Sequence, residues 1–235
     1  MEEGDELRPG SSESPSSNLL VDRENRSEDR EGREDRSNDR PPADQDPGRQ
    51  GFVRTALIFY GAMGCAALLW RMAASSESIF APAADVAVGT SGLWSAAVAG
   101  LFVGLASVGI SEVLTRGTEL GERLADVLAE SLAGISLGDA ILLAVASGIA
   151  EEMLFRGALQ PAVGLVWASL IFGACHFLPR RDIAIWSLYA VVMGFAFGWL
   201  FEWTGQLLAP IVAHTVVNGI NLPRLANRPP PTGKA

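Results

Sequence analysis

Apolar residues are distributed very unevenly along this chain. Residues 1–50 are dominated by Glu, Asp, Arg, Ser and Pro, whereas six apolar stretches follow one another through the rest of the sequence. Each stretch approaches the ~20 residues that a helix needs to cross a bilayer. The pattern predicts an all-α, polytopic membrane protein with about six transmembrane helices. We place these helices at about 52–73, 91–114, 139–160, 164–178, 183–201 and 206–222.

A different pattern separates the second apolar stretch from the third, at residues 116–137. Leucine and valine recur there at helical spacing, with acidic and basic residues between them. This arrangement predicts an amphipathic helix. Because the sequence offers no soluble domain on which such a helix would pack, we expect it to lie on the membrane surface.

The first fifty residues contain 15 of the 27 acidic and 8 of the 18 basic residues, and no aromatic side chain. Such a segment cannot bury enough apolar surface to fold, so we expect a disordered tail over 1–50. A transmembrane domain at 51–222 and a short C-terminal tail at 223–235 follow. No signal peptide is expected before the first apolar stretch, and without a basic patch we predict no nucleic-acid partner.

Lysine and arginine are concentrated in alternate loops. They occur at 116 and 123, at 180 and 181, and after 222, but not in the loops near 74–90 and 202–205. The positive-inside rule places the positive loops in the cytoplasm. The pattern thus predicts an integral protein of the bacterial inner membrane with both termini cytoplasmic, in which Arg71 and Arg156 are exceptions to the rule.

Few ionisable side chains interrupt the apolar stretches from the third onwards. An ionisable residue at membrane depth costs several kcal/mol, so it usually faces a cavity and carries function. Three of these stretches each carry a polar residue with a second residue one helical turn away. The residues concerned are Glu151, Glu152, Phe155 and Arg156 in the third stretch, Phe172 and His176 in the fourth, and His214 and Asn218 in the sixth.

Spacing separates the two adjacent carboxylates. Glu152 precedes Arg156 by four residues, which favours an ion pair along one helix face. Glu151 lies on a neighbouring face and has no such local partner. Counted from the predicted turn at residues 161–164, Glu151 and His176 both lie about 15–18 Å deep, and His214 lies at about 14 Å from the same side. We therefore expect these three groups to meet at one level.

One carboxylate near two imidazoles supports activation of water, either as a general base or at a metal ion. Asn218 adds a side-chain amide of the kind that stabilises an oxyanion. A cysteine–histidine dyad is the alternative suggested by Cys175, but adjacent residues on a helix point about 100° apart. We interpret Cys175 as a packing residue, and Gly100/Gly104 and Gly194/Gly198 as small-residue pairs that allow close helix approach.

Three ordered motifs resemble a known family. They are Glu-Glu-x-x-Phe-Arg-Gly at 151–157, Phe-x-x-x-His at 172–176 and His-x-x-x-Asn at 214–218, and residues 204–214 extend the match. Together they are similar to the motifs of the CPBP intramembrane proteases, which comprise the CAAX-prenyl-endopeptidase and bacteriocin-processing group, also called Abi. The resemblance covers about residues 139–222.

The resemblance implies an α-helical intramembrane endopeptidase whose substrate is a membrane-associated protein or peptide. Carried over by motif, Glu151 would activate the attacking water and His176 would help to position it. His214 and Asn218 would stabilise the oxyanion. The remaining motif residues, Glu152 and Arg156, would have supporting or catalytic roles.

The cofactor and the alternative functions stay open. Glu151, His176 and His214 would supply a zinc site of two histidines and one glutamate, but the chain has no HExxH segment. A metal-free glutamate mechanism serves equally well, and it is the one we favour. The other function classes are a proton-coupled transporter or relay and a catalytically idle immunity or binding protein on the same scaffold.

Overall fold

The computed structural model describes residues 47–75, 77–80, 92–177 and 184–229. Within these ranges the chain is helical and contains no β-strand. Its elements are α1 (Pro47–Ala74), α2 (Leu93–Gly117), α3 (Glu119–Leu132), α4 (Leu137–Glu152), a π-helical segment (Met153–Leu159), α5 (Gln160–Cys175), α6 (Ala184–Thr204) and α7 (Leu208–Ala226). The predicted disordered tail up to residue 46, the loop with Arg180 and Arg181, and the tail after residue 229 lie outside the described residues.

Three segments are long and apolar enough to cross a membrane: Gly48–Ala74, Leu93–Gly117 and Leu137–Cys175. Large apolar side chains on them face outward, such as Trp94, which is 87% exposed, and Met72, which is 76% exposed. Extended apolar surface of this kind is typical of a membrane-contacting face. The chain is therefore an all-α, polytopic membrane protein, and the predicted fold class is confirmed.

The prediction of about six spans differs from the three that length and composition select among the described residues. One reason is that the segment Leu137–Cys175 combines two predicted helices. The predicted helix at 183–201, which corresponds to α6, is also not among the three. A further reason lies in α7, whose mean hydropathy is lowered by polar side chains. Because those side chains pack inside the protein or line a cavity, as described below, they are compatible with a buried helix.

The segment Leu137–Cys175 reverses direction at Gly164. An unbroken helix would separate Glu151 from His176 by about 38 Å, yet their side chains lie 3.8 Å apart. Gly164 adopts φ 82° and ψ 165°, which lies outside the helical region and is readily available only to glycine. The turn predicted at residues 161–164 is confirmed at this residue, and it folds α5 back on the π-helical segment, where the ring centroids of Phe155 and Phe172 lie 4.9 Å apart.

The predicted amphipathic helix is present as α3 and is shorter than the predicted range of 116–137. It begins after Thr118, whose hydroxyl accepts a hydrogen bond from Gly121 N at 3.0 Å and so caps the helix. Its apolar side packs against α2, α6 and α7. The expectation that α3 lies on the membrane surface is therefore incomplete, because α3 also covers part of the helix bundle.

The first helix begins at Pro47, so the last four residues of the predicted tail belong to α1. Arg49 explains the earlier start. It is buried, it donates to the Gly134 carbonyl oxygen at 2.7 Å, and its Nε lies 3.5 Å from an Asp139 carboxylate oxygen. These contacts tie the start of α1 to the loop that leads into α4.

Small residues bring α7 close to its neighbours. A Cβ added to Gly100 would collide with the Ala209 carbonyl oxygen, and one added to Gly104 would lie 2.8 Å from the Ala213 carbonyl oxygen. Both contacts join α2 to α7 next to His214. On the other side of the bundle, a Cβ at Gly194 would lie 3.0 Å from a backbone atom of α5. The predicted packing role of the glycine pairs is confirmed by these contacts.

Candidate active site

Glu151 and Glu152 are the last two residues of α4, immediately before the π-helical segment Met153–Leu159. A π-helical turn contains an additional residue, and such turns occur often at functional sites. The segment carries Arg156 one turn beyond Glu152. The widened turn therefore presents the predicted site residues of the first motif toward α5, α6 and α7.

The structure brings Glu151 together with both histidines of the chain. Its Oε2 lies 3.8 Å from His176 Nε2 and 4.0 Å from His214 Nε2, and the Glu151 side chain is only 12% exposed. Oε2 is buried and has no hydrogen-bond partner among the described residues. A buried carboxylate oxygen without a partner is unusual in proteins, and both separations are too long for a direct hydrogen bond.

The second nitrogen of each imidazole fixes its tautomer. His176 Nδ1 lies 2.8 Å from the Phe172 carbonyl oxygen, and His214 Nδ1 lies 2.7 Å from Glu152 Oε1. Both partners are acceptors when Glu152 is ionised, so Nδ1 carries the proton in each ring. A neutral ring then presents a lone pair on Nε2 toward Glu151. Either histidine donates from Nε2 only when its imidazole is doubly protonated.

Glu152 has one more hydrogen-bond partner than the four-residue spacing to Arg156 predicted. The predicted ion pair is confirmed, since Arg156 Nη1 donates to Glu152 Oε1 at 3.0 Å. The same oxygen also accepts from His214 across 62 residues of sequence. Glu152 is 0% exposed, so this charge is compensated entirely inside the protein. Glu152 therefore contacts His214 as well as the predicted partner Arg156.

Arg156 contacts residues of three helices, α4, α5 and α6. Besides Glu152, its guanidinium donates to the Gly194 carbonyl oxygen on α6 at 3.2 Å. It also stacks over the Phe172 ring at 4.5 Å. These contacts explain how the exception to the positive-inside rule is accommodated, because the charge is buried against a carboxylate, a carbonyl and an aromatic face.

Asn218 lies beside the cluster, where its side-chain amide bonds a serine of α4. Its Nδ2 donates to Ser147 Oγ at 2.9 Å, and Ser147 donates in turn to the Ala144 carbonyl oxygen at 3.2 Å. Ser147 is one turn before Glu151 on α4. Ser147 was not among the predicted site residues, because a single buried serine in an apolar helix gives no signal without its partner.

Gly148 sets the distance between α4 and α7. A Cβ at this residue would lie 2.5 Å from Thr215 Oγ1 and 3.1 Å from Thr215 N. Thr215 follows His214, and Gly148 precedes the two glutamates by one turn. The close contact therefore allows Glu152 to reach His214, and any larger residue would push the two helices apart.

The predicted zinc set does not match this geometry. Two ligands about 2.0–2.1 Å from a tetrahedral zinc ion lie roughly 3.3 Å apart. The Glu151 oxygen is 3.8 and 4.0 Å from the two Nε2 atoms, and within the described residues no group of three such side chains meets the requirements of a metal site. The three side chains as placed do not fit zinc.

Similarity to known proteins is concentrated in the part of the chain that contains the site. Residues 133–220 match the family described as type II CAAX prenyl endopeptidase Rce1-like. Over 87 residues the chain is 42% identical to "Uncharacterized protein YpbD" of Bacillus subtilis (strain 168), a match that covers 36% of this chain and 44% of YpbD.

A second relative from the same organism carries the name "Putative membrane peptidase YdiL". The chain is 30% identical to it over 142 residues, which cover 56% of this chain and 55% of YdiL. The chain thus spans about half the length of the curated relatives it matches, and no solved structure matches it. The family match contains all three motifs, and it supports the resemblance of residues 133–220 to the CPBP/CAAX protease family.

Proposed function

We propose that the chain is an intramembrane endopeptidase that hydrolyses a peptide bond in a membrane-associated protein or peptide. The single observation that carries the proposal is the buried Glu151 carboxylate, which has no hydrogen-bond partner on Oε2 among the described residues and faces two imidazole Nε2 atoms. A general base needs this arrangement, because its proton-accepting oxygen is available and protected from bulk water.

In the proposed reaction, one water donates a proton to Glu151 while its oxygen attacks the carbonyl carbon of the scissile bond. His176 holds this water through the lone pair on Nε2. The carbon–nitrogen bond then breaks, and Glu151 returns the proton to the leaving amine. A separation of 3.8 Å between Glu151 and His176 is suited to one water that contacts both groups.

Stabilisation of the oxyanion is proposed for His214 and Asn218. Because the Nδ1 proton of His214 is donated to Glu152, His214 can donate to an oxyanion only as an imidazolium. Glu152 would therefore act as a positioning residue for His214, in the way that a buried carboxylate orients the histidine of a catalytic triad.

The proposed setting is the bacterial inner membrane, with both termini in the cytoplasm and a bilayer around the helices. The substrate is proposed only as a membrane-associated polypeptide, and nucleic acid is not expected to bind. A proton-coupled transporter and an idle immunity protein are the competing functions. Both predict that the polypeptides of the membrane stay intact whether Glu151 is present or replaced.

The test compares the membrane proteome of a deletion strain complemented with the parent chain, with Glu151→Gln or with Glu119→Gln. Glu119 is the matched control, since its side chain is 89% exposed and far from the site in sequence. We expect uncleaved precursors to accumulate with Glu151→Gln and not with Glu119→Gln. Identical precursor patterns in all three strains would contradict the proposed function.

A further inference from the structure

A cavity of about 340 Å³ lies among α2, α3, α6 and α7, and its lining contains none of Glu151, His176 and His214. Its size lies in the range of small-ligand sites in proteins. The cavity has two chemically different walls. The proposed water activation by Glu151 and His176 makes no use of it.

The polar wall follows one face of α7 and the residues just beyond its end. Asn218, Asn221, Arg224 and Arg228 all line the cavity, and their spacing of three, three and four residues is that of one helix face. The wall that α3 and α6 contribute is largely apolar. It is formed by Leu124, Ala125 and Leu128 of α3 and by Trp186 and Tyr189 of α6.

The cavity adjoins the candidate active site at two points. Asn218 lies in its lining and also donates to Ser147, which is one turn from Glu151. Trp186 lies in its lining, and its ring is 6.0 Å from the His176 ring. The cavity therefore ends beside the residues to which the proposed function gives the chemistry.

We propose that this cavity binds an extended peptide segment of the substrate, adjacent to the bond that is cleaved. The inference rests on the proposed function and deepens it. Ten residues separate Asn218 from Arg228, so the polar face is about 15 Å long. An extended peptide rises about 3.3 Å per residue, so the cavity accommodates about four to five residues between the reaction centre and the far end of α7.

The polar wall complements the backbone of a peptide, and the apolar wall complements its apolar side chains. An extended backbone carries N–H and C=O groups that need partners when buried, and the side-chain amides of Asn218 and Asn221 supply both donors and acceptors. Alternate side chains then face α3, where Leu124 and Leu128 select apolar residues. Each amide already donates one hydrogen bond, from Asn218 to Ser147 and from Asn221 to Ser111. A lipid acyl chain would leave their remaining donors and acceptors without partners, at a cost in free energy.

Charge is not the basis of the proposed selectivity. Arg228 Nε lies 2.6 Å from Asp126, and Arg224 Nη1 lies 3.5 Å from Glu112. These ion pairs join the C-terminal end of α7 to α3 and to α2, at the end of the cavity away from the active site. Because the arginines are balanced by acidic partners, the cavity is expected to choose its peptide by apolar side chains.

The test places a benzophenone amino acid at Leu124 in the full-length Glu151→Gln protein in lipid nanodiscs. The matched control carries it at Leu120, which lies on the same helix, is 40% exposed and does not line the cavity. The probe is a library of biotinylated decapeptides. The same library is also incubated with the parent protein, and cleavage is followed by mass spectrometry.

We expect strong peptide crosslinking from position 124, little from position 120, and a fall of about tenfold at 124 when Asn221→Leu removes one amide partner. Equal peptide crosslinking at both positions, or crosslinking to lipid alone at 124, would overturn the proposal. Crosslinking confined to 124 without cleavage by the parent would support the cavity and refute the protease function. Should the Leu124 variant fail to fold, the same reporter at Leu128 decides between these outcomes.

Discussion

Two adjacent carboxylates at the end of α4 have different surroundings, although the Oε2 atom of each is buried without a hydrogen-bond partner among the described residues. Glu152 is completely buried, and one of its oxygens accepts hydrogen bonds from both Arg156 and His214. Glu151 is slightly exposed, and its inward oxygen has no hydrogen-bond partner among the described residues. One helical turn therefore contains a carboxylate that is used by the structure and another that remains available for chemistry.

The difference follows from where the two side chains point. Adjacent residues diverge by about 100° around a helix, so Glu152 faces the guanidinium and Nδ1 of His214 while Glu151 faces the Nε2 atoms of the two histidines. A buried ion pair rarely adds net stability, but removing one partner leaves an uncompensated charge. The comparison predicts that replacements at the two positions will have separable effects on stability and on activity.

The largest effect on stability is expected for Glu152→Gln. This change leaves Arg156 buried without a compensating charge, so the free energy of unfolding should fall by about 3–5 kcal/mol. Glu151→Gln should change it by less than about 0.5 kcal/mol, because the affected oxygen makes no hydrogen bond to the described residues. Denaturant titration in mixed micelles measures both, with Glu119→Gln as a neutral reference. Equal destabilisation by Glu152→Gln and Glu151→Gln would contradict the predicted difference between the two carboxylates.

The two histidines are also expected to contribute differently to the free energy of unfolding. His214→Ala removes a hydrogen bond to an ionised carboxylate and should lower the free energy of unfolding by about 1.5–3 kcal/mol. His176→Ala should cost less, because His176 bonds a backbone carbonyl and is 23% exposed, against 8% for His214. The same unfolding titration tests the order. If His176→Ala lowered the free energy of unfolding more than His214→Ala, the hydrogen bond between His214 and Glu152 would not be the stronger contribution to stability.

Close packing of α4 on α7 is tested by Gly148→Ala. The new Cβ would overlap Thr215, and we expect a loss of about 1–3 kcal/mol. Gly109→Ala is the matched control, since nothing lies within 4 Å of the added carbon and alanine favours the helix by roughly 1 kcal/mol. If Gly148→Ala were as stable as Gly109→Ala, close approach of the helices would not be required.

The smallest effect is expected for Ser147→Ala, which releases the Asn218 amide. Loss of this bond should cost about 1 kcal/mol and should lower kcat more than it raises KM. The same change in an Asn218→Ala background should have little further effect, because the two residues act together. Additive losses of activity in the double variant would show that Ser147 acts by another route.

The sequence predicted those features that depend on local spacing. Apolar length identified the membrane helices, and the four-residue spacing of Glu152 and Arg156 identified their ion pair. Equal depth along three helices predicted that Glu151 meets both histidines, as their distances confirm. Gly164 falls within the predicted turn, because glycine and proline mark helix ends.

Two hydrogen bonds between helices could not be predicted from the sequence. The bonds from Glu152 to His214 and from Ser147 to Asn218 join residues separated by 62 and 71 positions. Both depend on the rotation and spacing of α4 against α7, which Gly148 permits. The π-helical turn and the packing of α3 over the cavity were likewise missed, since neither changes the local pattern of apolar and polar residues.

The most direct measurement of the central claim is the rate at which purified protein cleaves a precursor that accumulates in the Glu151→Gln strain. We expect Glu151→Gln to lower kcat by about 10²–10⁴-fold, the range for loss of a general base, while the folded state keeps its stability. Glu119→Gln should cleave at the rate of the parent. Cleavage by Glu151→Gln within about twofold of the parent rate would contradict the assignment of Glu151 as the base.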